Sequence, residues 1–189
     1  MPRVIFYTAT TFDGFLADTD DSLDWLFAVP DAEEAESGIA GFMSGIGVLV
    51  EGRTTYEWVV RHDDLIRHPE KWTQFYGDRP TFVFTSGAPV AVPGADIRFR
   101  SGPVSDAWGE IVAAAGDKDV WVVGGGDLAG QFADAGLLNE IVLSVAPVTL
   151  GEGRPLLPRR LESDRLTLTG VRRVGQFAEL TYSVDNSTR

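Results

Sequence analysis

VWVVGGGDLAGQF, residues 120–132, is the strongest local indication of structure in this sequence. Its first four residues are β-branched or aromatic and contain no breaker, which predicts a short buried strand. Three glycines follow at once, and LAGQFADAG, residues 128–136, then has the composition of a helix. Glycines let backbone N–H groups approach a phosphate closely, and a helix N-terminus attracts an anion. The stretch therefore predicts a phosphate-binding turn; a tight strand-to-helix turn alone would require fewer glycines.

Strands and helices alternate on both sides of this turn. Strands are predicted at 4–10, 47–51, 81–85, 97–99, 120–123 and 138–145, and short helices at 22–27, 31–44, 53–61, 107–116 and 128–136. Ser22, and either Ser105 or Asp106, are the predicted helix caps. Residues 62–79 and 148–158 are predicted to be irregular, and 166–174 with 176–184 to form a hairpin turned at Gly175. This order predicts an α/β fold with a mostly parallel sheet and an antiparallel edge.

Composition excludes several classes of protein. The 189 residues, 44% hydrophobic and 23% charged, predict one globular domain at 1–185 with a disordered tail at 186–189. A formal net charge of −12 disfavours nucleic acid as a partner. With no cysteine and two histidines, neither a disulfide nor a metal site is expected. We read no signal peptide and no membrane span, and expect a cytoplasmic protein without a membrane partner.

Two further strands end in residues suited to an anion. Gly52, Arg53, Thr54 and Thr55 follow the strand 47–51 and begin the next helix. An arginine in a first helical turn opposes the helix dipole, a conflict that an anionic ligand would resolve. Thr85 and Ser86, which end the strand at 81–85, are a weaker signal that also fits a plain turn. All these residues follow the carboxyl ends of strands, where open α/β sheets bind ligands.

A dinucleotide site of the Rossmann type is the main alternative, because Gly124, Gly126 and Ala129 satisfy G-x-G-x-x-A. However, the next strand, IVLSVAP, ends in no aspartate or glutamate that could bind a ribose. Two carboxylates near the start are candidates for catalysis, Asp24 first and Asp13 second. Asp13 equally fits an Asp-Gly turn, and Asp24 equally fits favourable charge at a helix N-terminus.

Taken together, these motifs resemble the dihydrofolate-reductase superfamily, and most closely the RibD C-terminal family, the reductase half of a riboflavin-biosynthesis deaminase-reductase. The matching segments are TFDG (11–14), GRTTYE (52–57), the strand ending in Thr85-Ser86, and VVGGGDLAGQFADAGLLNEI (122–141). The resemblance covers nearly the whole chain and continues through SVAPVTLGEGRPLLP (144–158). It implies a central mixed sheet of about eight strands flanked by helices, and a homodimer.

The resemblance also implies a cofactor, NADPH, bound across the strand ends. The residues implied to hold it are Ala9, Gly52, Arg53, Thr54, Thr55, Thr85, Ser86, Gly124, Gly125, Gly126, Asp127 and Leu128. Arg53, Thr54 and Thr55 would hold the adenosine-side phosphates, and Thr85 and Ser86 the ribose that carries the 2′-phosphate. One peptide between the paired glycines is expected to be cis. Asp24 falls near the position of the pterin-binding acid of dihydrofolate reductases.

Departures from the family pattern concern the substrate. Phe15 stands where riboflavin-pathway enzymes have lysine, and Val123 where they have glutamate. With Trp25, these residues predict an apolar substrate pocket rather than one for a phosphorylated ribosyl-pyrimidine. We expect a reductase that transfers a hydride from NADPH to a C=N or C=O bond of a small pterin- or pyrimidine-like heterocycle. A non-catalytic nucleotide-binding module, and a reductase using a flavin or deazaflavin, remain alternatives.

Overall fold

The computed structural model describes residues 1–30 and 32–187 and contains ten strands and six helices in that part of the chain. The strands are β1 (Val4–Thr11), β2 (Phe15–Ala17), β3 (Ile46–Gly52), β4 (Thr81–Phe84), β5 (Ile97–Arg100), β6 (Asp119–Gly124), β7 (Leu138–Ala146), β8 (Arg154–Pro155), β9 (Leu166–Val174) and β10 (Phe177–Val184). The helices are α1 (Asp24–Phe27), α2 (Ala32–Ser44), α3 (Arg53–His62), α4 (Glu70–Tyr76), α5 (Val104–Ala115) and α6 (Gly126–Asp134).

Eight of these strands form one sheet in the order β5-β4-β3-β6-β1-β7-β10-β9. Neighbours from β5 to β7 are parallel, whereas β10 pairs antiparallel with both β7 and β9. The short strands β2 and β8 form a separate antiparallel ribbon. The predicted α/β class, the mostly parallel sheet of about eight strands and the antiparallel C-terminal hairpin are therefore confirmed.

Apolar side chains cover both faces of the parallel part of the sheet, as strands buried on two sides require. On one face Val4 and Phe6 of β1 pack with Ile111 of α5 and Phe132 of α6. On the other face the intervening Ile5 belongs to a cluster built with α2, α3 and α4. This layering leaves the carboxyl ends of the strands as the place where loops can form a site.

Three local predictions are wrong. The segment 62–79, predicted to be irregular, contains α4, which buries Trp72 and Tyr76 one helical turn apart. Helix α5 begins at Val104 after an extended Pro103, so neither Ser105 nor Asp106 occupies the cap position. Helix α1 begins at Asp24 with Leu23 at its cap; Ser22 lies one residue further out, where its Oγ accepts a hydrogen bond from the Asp24 N–H at 3.1 Å.

Some predictions fall partly outside the described residues. The residues outside are Asp31, which begins the predicted helix 31–44, and residues 188 and 189, which belong to the predicted disordered tail. Asn186 of that tail donates a hydrogen bond from Nδ2 to the Leu138 carbonyl at 2.7 Å. Within the described residues, no helix has the length and apolar character needed to cross a membrane.

Candidate functional site

A cleft with a volume of about 600 Å³ opens where β1, β3 and β6 end. Its size is typical of small-molecule sites. Predicted site residues that line it are Ala9, Gly52, Arg53, Thr54, Thr55, Trp25, Val123, Gly124, Gly125, Gly126, Asp127 and Leu128. The topology thus joins the glycine turn to the segment after β3, as expected for parallel strands whose carboxyl ends share one edge.

The glycine turn connects β6 directly to α6. The Gly124–Gly125 peptide is cis, one of the two positions that the resemblance implied. Gly125 occupies the cap position of α6 and no side chain caps the helix there, so the first backbone N–H groups of α6 remain available to a ligand. Gly126 has a packing role, because a Cβ on it would lie 2.3 Å from the carbonyl oxygen of Leu156.

The N-terminus of α3 meets this turn. Gly52 is extended, and no side chain caps α3 either. A Cβ built on Gly52 would lie 3.7 Å from the Gly125 nitrogen, and one on Gly124 would lie 3.0 Å from the Thr55 Oγ1. Two helix N-termini therefore point at one small region, and both favour negative charge there. The net charge of −12 repels an anionic ligand from most of the surface, and the positive potential at these two helix N-termini offsets that repulsion locally.

Arg53 extends from the α3 N-terminus toward the loop after β4. Its Nε donates to the Glu57 Oε1 at 2.8 Å, and its side chain is half exposed. A Cβ on Gly87 would lie 2.6 Å from the Arg53 Nη1, so the guanidinium adjoins the segment that holds Thr85 and Ser86. Thr85 and Ser86 do not line the cleft; the Thr85 Oγ1 accepts a hydrogen bond from the Gly87 N–H at 3.0 Å. The guanidinium and the pairing of Gly52 with Phe84 join these two predicted parts of the site.

Neither predicted catalytic carboxylate lines the cleft. Asp24 is exposed at the start of α1. The Asp13 carboxylate accepts hydrogen bonds from the Thr11 hydroxyl at 2.6 Å, the Leu150 N–H at 3.0 Å and the Gly151 N–H at 2.7 Å. The Thr11 hydroxyl and these backbone groups lower the pKa of Asp13. Asp13 therefore holds the loop after β7 against the turn after β1. Its assignment to proton transfer stays a prediction, and this geometry gives Asp13 a structural role.

Phe15 also lies outside the lining of the cleft, because it pairs with Pro155 in the β2–β8 ribbon. Trp25 and Val123 do line the cleft. Trp25 is 9% exposed, and its indole Nε1 is buried without a hydrogen-bond partner among the described residues. Two of the three residues predicted for an apolar pocket, Trp25 and Val123, thus line the cleft, and Phe15 does not.

Sequence reasoning missed an ion pair and an aromatic stack. Arg154 of β8 donates from Nε and Nη2 to the two carboxylate oxygens of Asp21, at 2.5 and 3.1 Å, and both residues line the cleft. Trp58 of α3 also lines the cleft, and its ring stacks on His62 with a centroid separation of 4.5 Å. His62 in turn stacks on Phe27, which ties α1 to α3. Contacts between positions 21 and 154 leave no signal in a single sequence.

The acidic residue at the first turn of α6 is also paired. The Asp127 carboxylate accepts hydrogen bonds from the Gln131 Nε2 and the Arg159 Nη2, both at 3.0 Å, and these bonds lower its pKa. Arg159 bonds Asp134 as well, at 2.7 Å. Asp127 thus keeps its charge at a helix N-terminus, where it is favourable, and reaches the cleft beside Leu128.

Glu51 also belongs to the site region, although the sequence analysis placed it only at the end of a predicted strand. It is completely buried one residue before Gly52, in register with Gly124. Neither of its carboxyl oxygens has a hydrogen-bond partner among the described residues. Burial raises the pKa of Glu51 to about 8. A carboxyl group that favours its protonated form therefore lies one residue before the cap of α3, on the side of the sheet where Tyr56 and Tyr76 pack.

Comparisons with known proteins agree with this geometry. The sequence model of the RibD C-terminal domain matches residues 109–178, which include β6, the glycine turn and α6. The uncharacterised protein YwjB of Bacillus subtilis is 27% identical over 180 residues, covering 95% of this chain and 97% of YwjB. The riboflavin biosynthesis protein RibD of Corynebacterium ammoniagenes is 27% identical over 182 residues, covering 90% of this chain but 49% of that protein.

Among solved structures, a protein of Shewanella sp. PV-4 named for riboflavin biosynthesis superposes with a TM-score of 0.77 at 25% identity. The match covers 97% of this chain and 99% of the Shewanella chain. The resemblance to the RibD C-terminal family is therefore confirmed, and with it the dihydrofolate-reductase-like fold.

Proposed function

We propose that this protein is an NADPH-dependent reductase that transfers a hydride to a C=N or C=O bond of a small pterin- or pyrimidine-like heterocycle. The observation that carries the proposal is the convergence of the α3 and α6 N-termini on the glycine turn, with 3.7 Å between a Cβ on Gly52 and the Gly125 nitrogen. The similarity to RibD-type proteins supports the same reading.

The residues present fit a dinucleotide phosphate. Backbone N–H groups from Gly126 to Leu128 would bind the pyrophosphate, and Thr54 and Thr55 would add hydroxyl donors from α3. Arg53 would hold the 2′-phosphate, exchanging an exposed i,i+4 ion pair that contributes only about 0.3–0.5 kcal/mol. When bound, NADPH supplies the hydride, so the protein contributes binding and orientation.

The substrate would lie beside β1. Ala9 and Thr8 present backbone and hydroxyl groups at the base of the cleft, and Trp25, Leu26 and Trp58 form an apolar wall. Because Asp24 is exposed and Asp13 is bound to the loop after β7, we assign neither of them the proton that accompanies hydride transfer. In this proposal the proton comes from solvent.

Replacing Arg53 with alanine tests the cofactor assignment. Dissociation constants for NADPH and NADH would be measured by calorimetry on the wild type and the variant. We expect the wild type to prefer NADPH, and Arg53→Ala to weaken NADPH about tenfold or more while changing NADH little, because only NADPH carries the 2′-phosphate. Arg61→Ala, an exposed arginine in the last turn of the same helix, is the matched control.

Equal losses for the two cofactors would contradict the role of Arg53, and no binding of either by the wild type would contradict the proposed function.

A cytoplasmic location and a homodimer complete the proposal. Gel filtration with light scattering measures the second of these directly.

A further inference from the structure

The charged side chains that line the cleft already have partners. Within residues 1–30 and 32–187, these are Asp21, Arg53, Asp127 and Arg154. Arg53 is bound to Glu57, Asp127 to Arg159, and Arg154 to Asp21 through two contacts. After the cofactor takes Arg53, Arg154 is the remaining cation in the lining.

Arg154 is surrounded by negative charge. Asp21 bonds it directly, and Asp18 and Asp20 of the same loop act on it electrostatically. The Arg154 Nη2 also donates to the Thr19 carbonyl at 3.3 Å. A phosphate or carboxylate that approached this guanidinium would have to displace Asp21 and remain beside two further carboxylates. This part of the cleft therefore disfavours an anion.

The rest of the wall suits a flat, apolar molecule. Leu23, Trp25, Leu26 and Trp58 line it, and the Trp58 ring stacks on His62 with planes 13° apart. Stacked aromatic rings are the usual surface on which a planar heterocycle packs. Trp25 contributes its ring to this wall and is 9% exposed, whereas its indole N–H is buried away from the cleft surface.

We infer that the substrate is an uncharged, planar heterocycle that bears no phosphate or carboxylate. An ionised group here would have to displace Asp21 from Arg154, and it would then face the carboxylates of Asp18 and Asp20, which have no counterpart beside Arg53. The inference rests on the proposed function for what happens to the substrate, but binding of the heterocycle itself does not require the cofactor. This reading separates the protein from enzymes that act on phosphorylated ribosyl-pyrimidines.

Calorimetry with two matched pairs of ligands tests it on the protein saturated with NADP⁺, because NADP⁺ occupies Arg53 and the two helix N-termini, which would otherwise bind the charged ligands. If no cofactor binds, the same titrations are made on the protein alone. Pterin and pterin-6-carboxylate share one ring system, and riboflavin and its 5′-phosphate share another. We expect the uncharged member of each pair to bind at least tenfold more tightly. Equal affinity, tighter binding of the charged member, or no binding of any of the four would overturn the inference.

Two variants, each with a control, test which residues cause the preference for uncharged ligands. Asp20→Lys adds a positive charge to the acidic loop and should narrow the affinity ratio of uncharged to charged ligand at least threefold; Asp117→Lys, exposed at the amino end of β6 and away from the cleft, should leave the ratio unchanged. Trp25→Phe should weaken pterin three- to tenfold, whereas Trp108→Phe, a tryptophan outside the cleft, should not. Variants that match their controls would overturn the assigned roles.

The two proposals fail in different ways. If NADPH does not bind but the uncharged ligands are still preferred, the proposed function fails and the inference about the cleft stands. If NADPH binds with the expected preference but the charged ligands bind as well as the uncharged ones, the inference fails alone.

Discussion

Replacing Glu51 with glutamine removes a completely buried carboxyl group that has no hydrogen-bond partner among the described residues. Burial raises its pKa to about 8 from an ordinary value of 4.5. Between these two values the folded protein keeps the proton while the unfolded chain releases it. The free energy of unfolding therefore falls as the pH rises, because the unfolded state binds fewer protons. The stability contribution is complete below about pH 4.5 and is lost as the pH passes 8.

The size of the effect follows from the same two values. Each pKa unit corresponds to about 1.4 kcal/mol, so the full difference is on the order of 5 kcal/mol. Between pH 5 and pH 7 the wild type should lose roughly 2.5 kcal/mol of stability through this residue. That loss is large beside the roughly 5–15 kcal/mol by which domains are usually stable.

Urea denaturation followed by tryptophan fluorescence at pH 5, 6 and 7 measures this difference. Glu51→Gln keeps the shape of the side chain and cannot ionise, so the gap between variant and wild type should grow by roughly 2.5 kcal/mol across that range. Glu152→Gln, an exposed glutamate, is the control and should follow the wild type. A gap that stays constant with pH would refute the conclusion that Glu51 is protonated in the folded protein.

Three other predictions follow from the site and the sheet. Asp24→Asn should change turnover less than twofold once a substrate is in hand, because Asp24 is exposed and outside the cleft; a loss of tenfold or more would return it to the mechanism. Gly126→Ala should lower the free energy of unfolding by about 2 kcal/mol or more, because the new Cβ would meet the Leu156 carbonyl oxygen at 2.3 Å; a stability equal to wild type would show that the 155–156 loop moves freely. If the proposed homodimer forms through β9, Val171→Asp should yield a monomer, since Val171 and Leu168 of β9 are 66% and 51% exposed; light scattering that finds one mass for both proteins would remove this face from the interface.

Local patterns in the sequence predicted the framework of the site. The run of glycines after VWVV marks the end of β6, and GRTTYE marks the start of α3, because both signals depend only on neighbouring residues. Parallel strands then bring the two segments to one edge of the sheet. The cis peptide and the positions of Trp25 and Val123 agree with the same reading.

Features that depend on distant contacts could not be predicted. Asp13 is fixed by N–H groups 137 and 138 positions away, and the pair of Arg154 and Asp21 spans 133 positions. Helix α1 has four residues, so periodicity cannot show that Trp25 faces the cleft and Asp24 does not. Glu51 stands in an apolar strand where only the packing of α3 and α4 shows that its carboxyl group is buried.

In the proposed complex, one dinucleotide spans the N-termini of both α3 and α6. Amide chemical shifts of the 20.5 kDa protein, followed by NMR during titration with NADPH, test it most directly. We predict that the largest changes occur together at Thr54, Thr55 and the first turn of α6, from Gly126 to Leu128. Changes confined to the α6 turn would indicate a Rossmann-type site, and changes at neither helix would contradict the account.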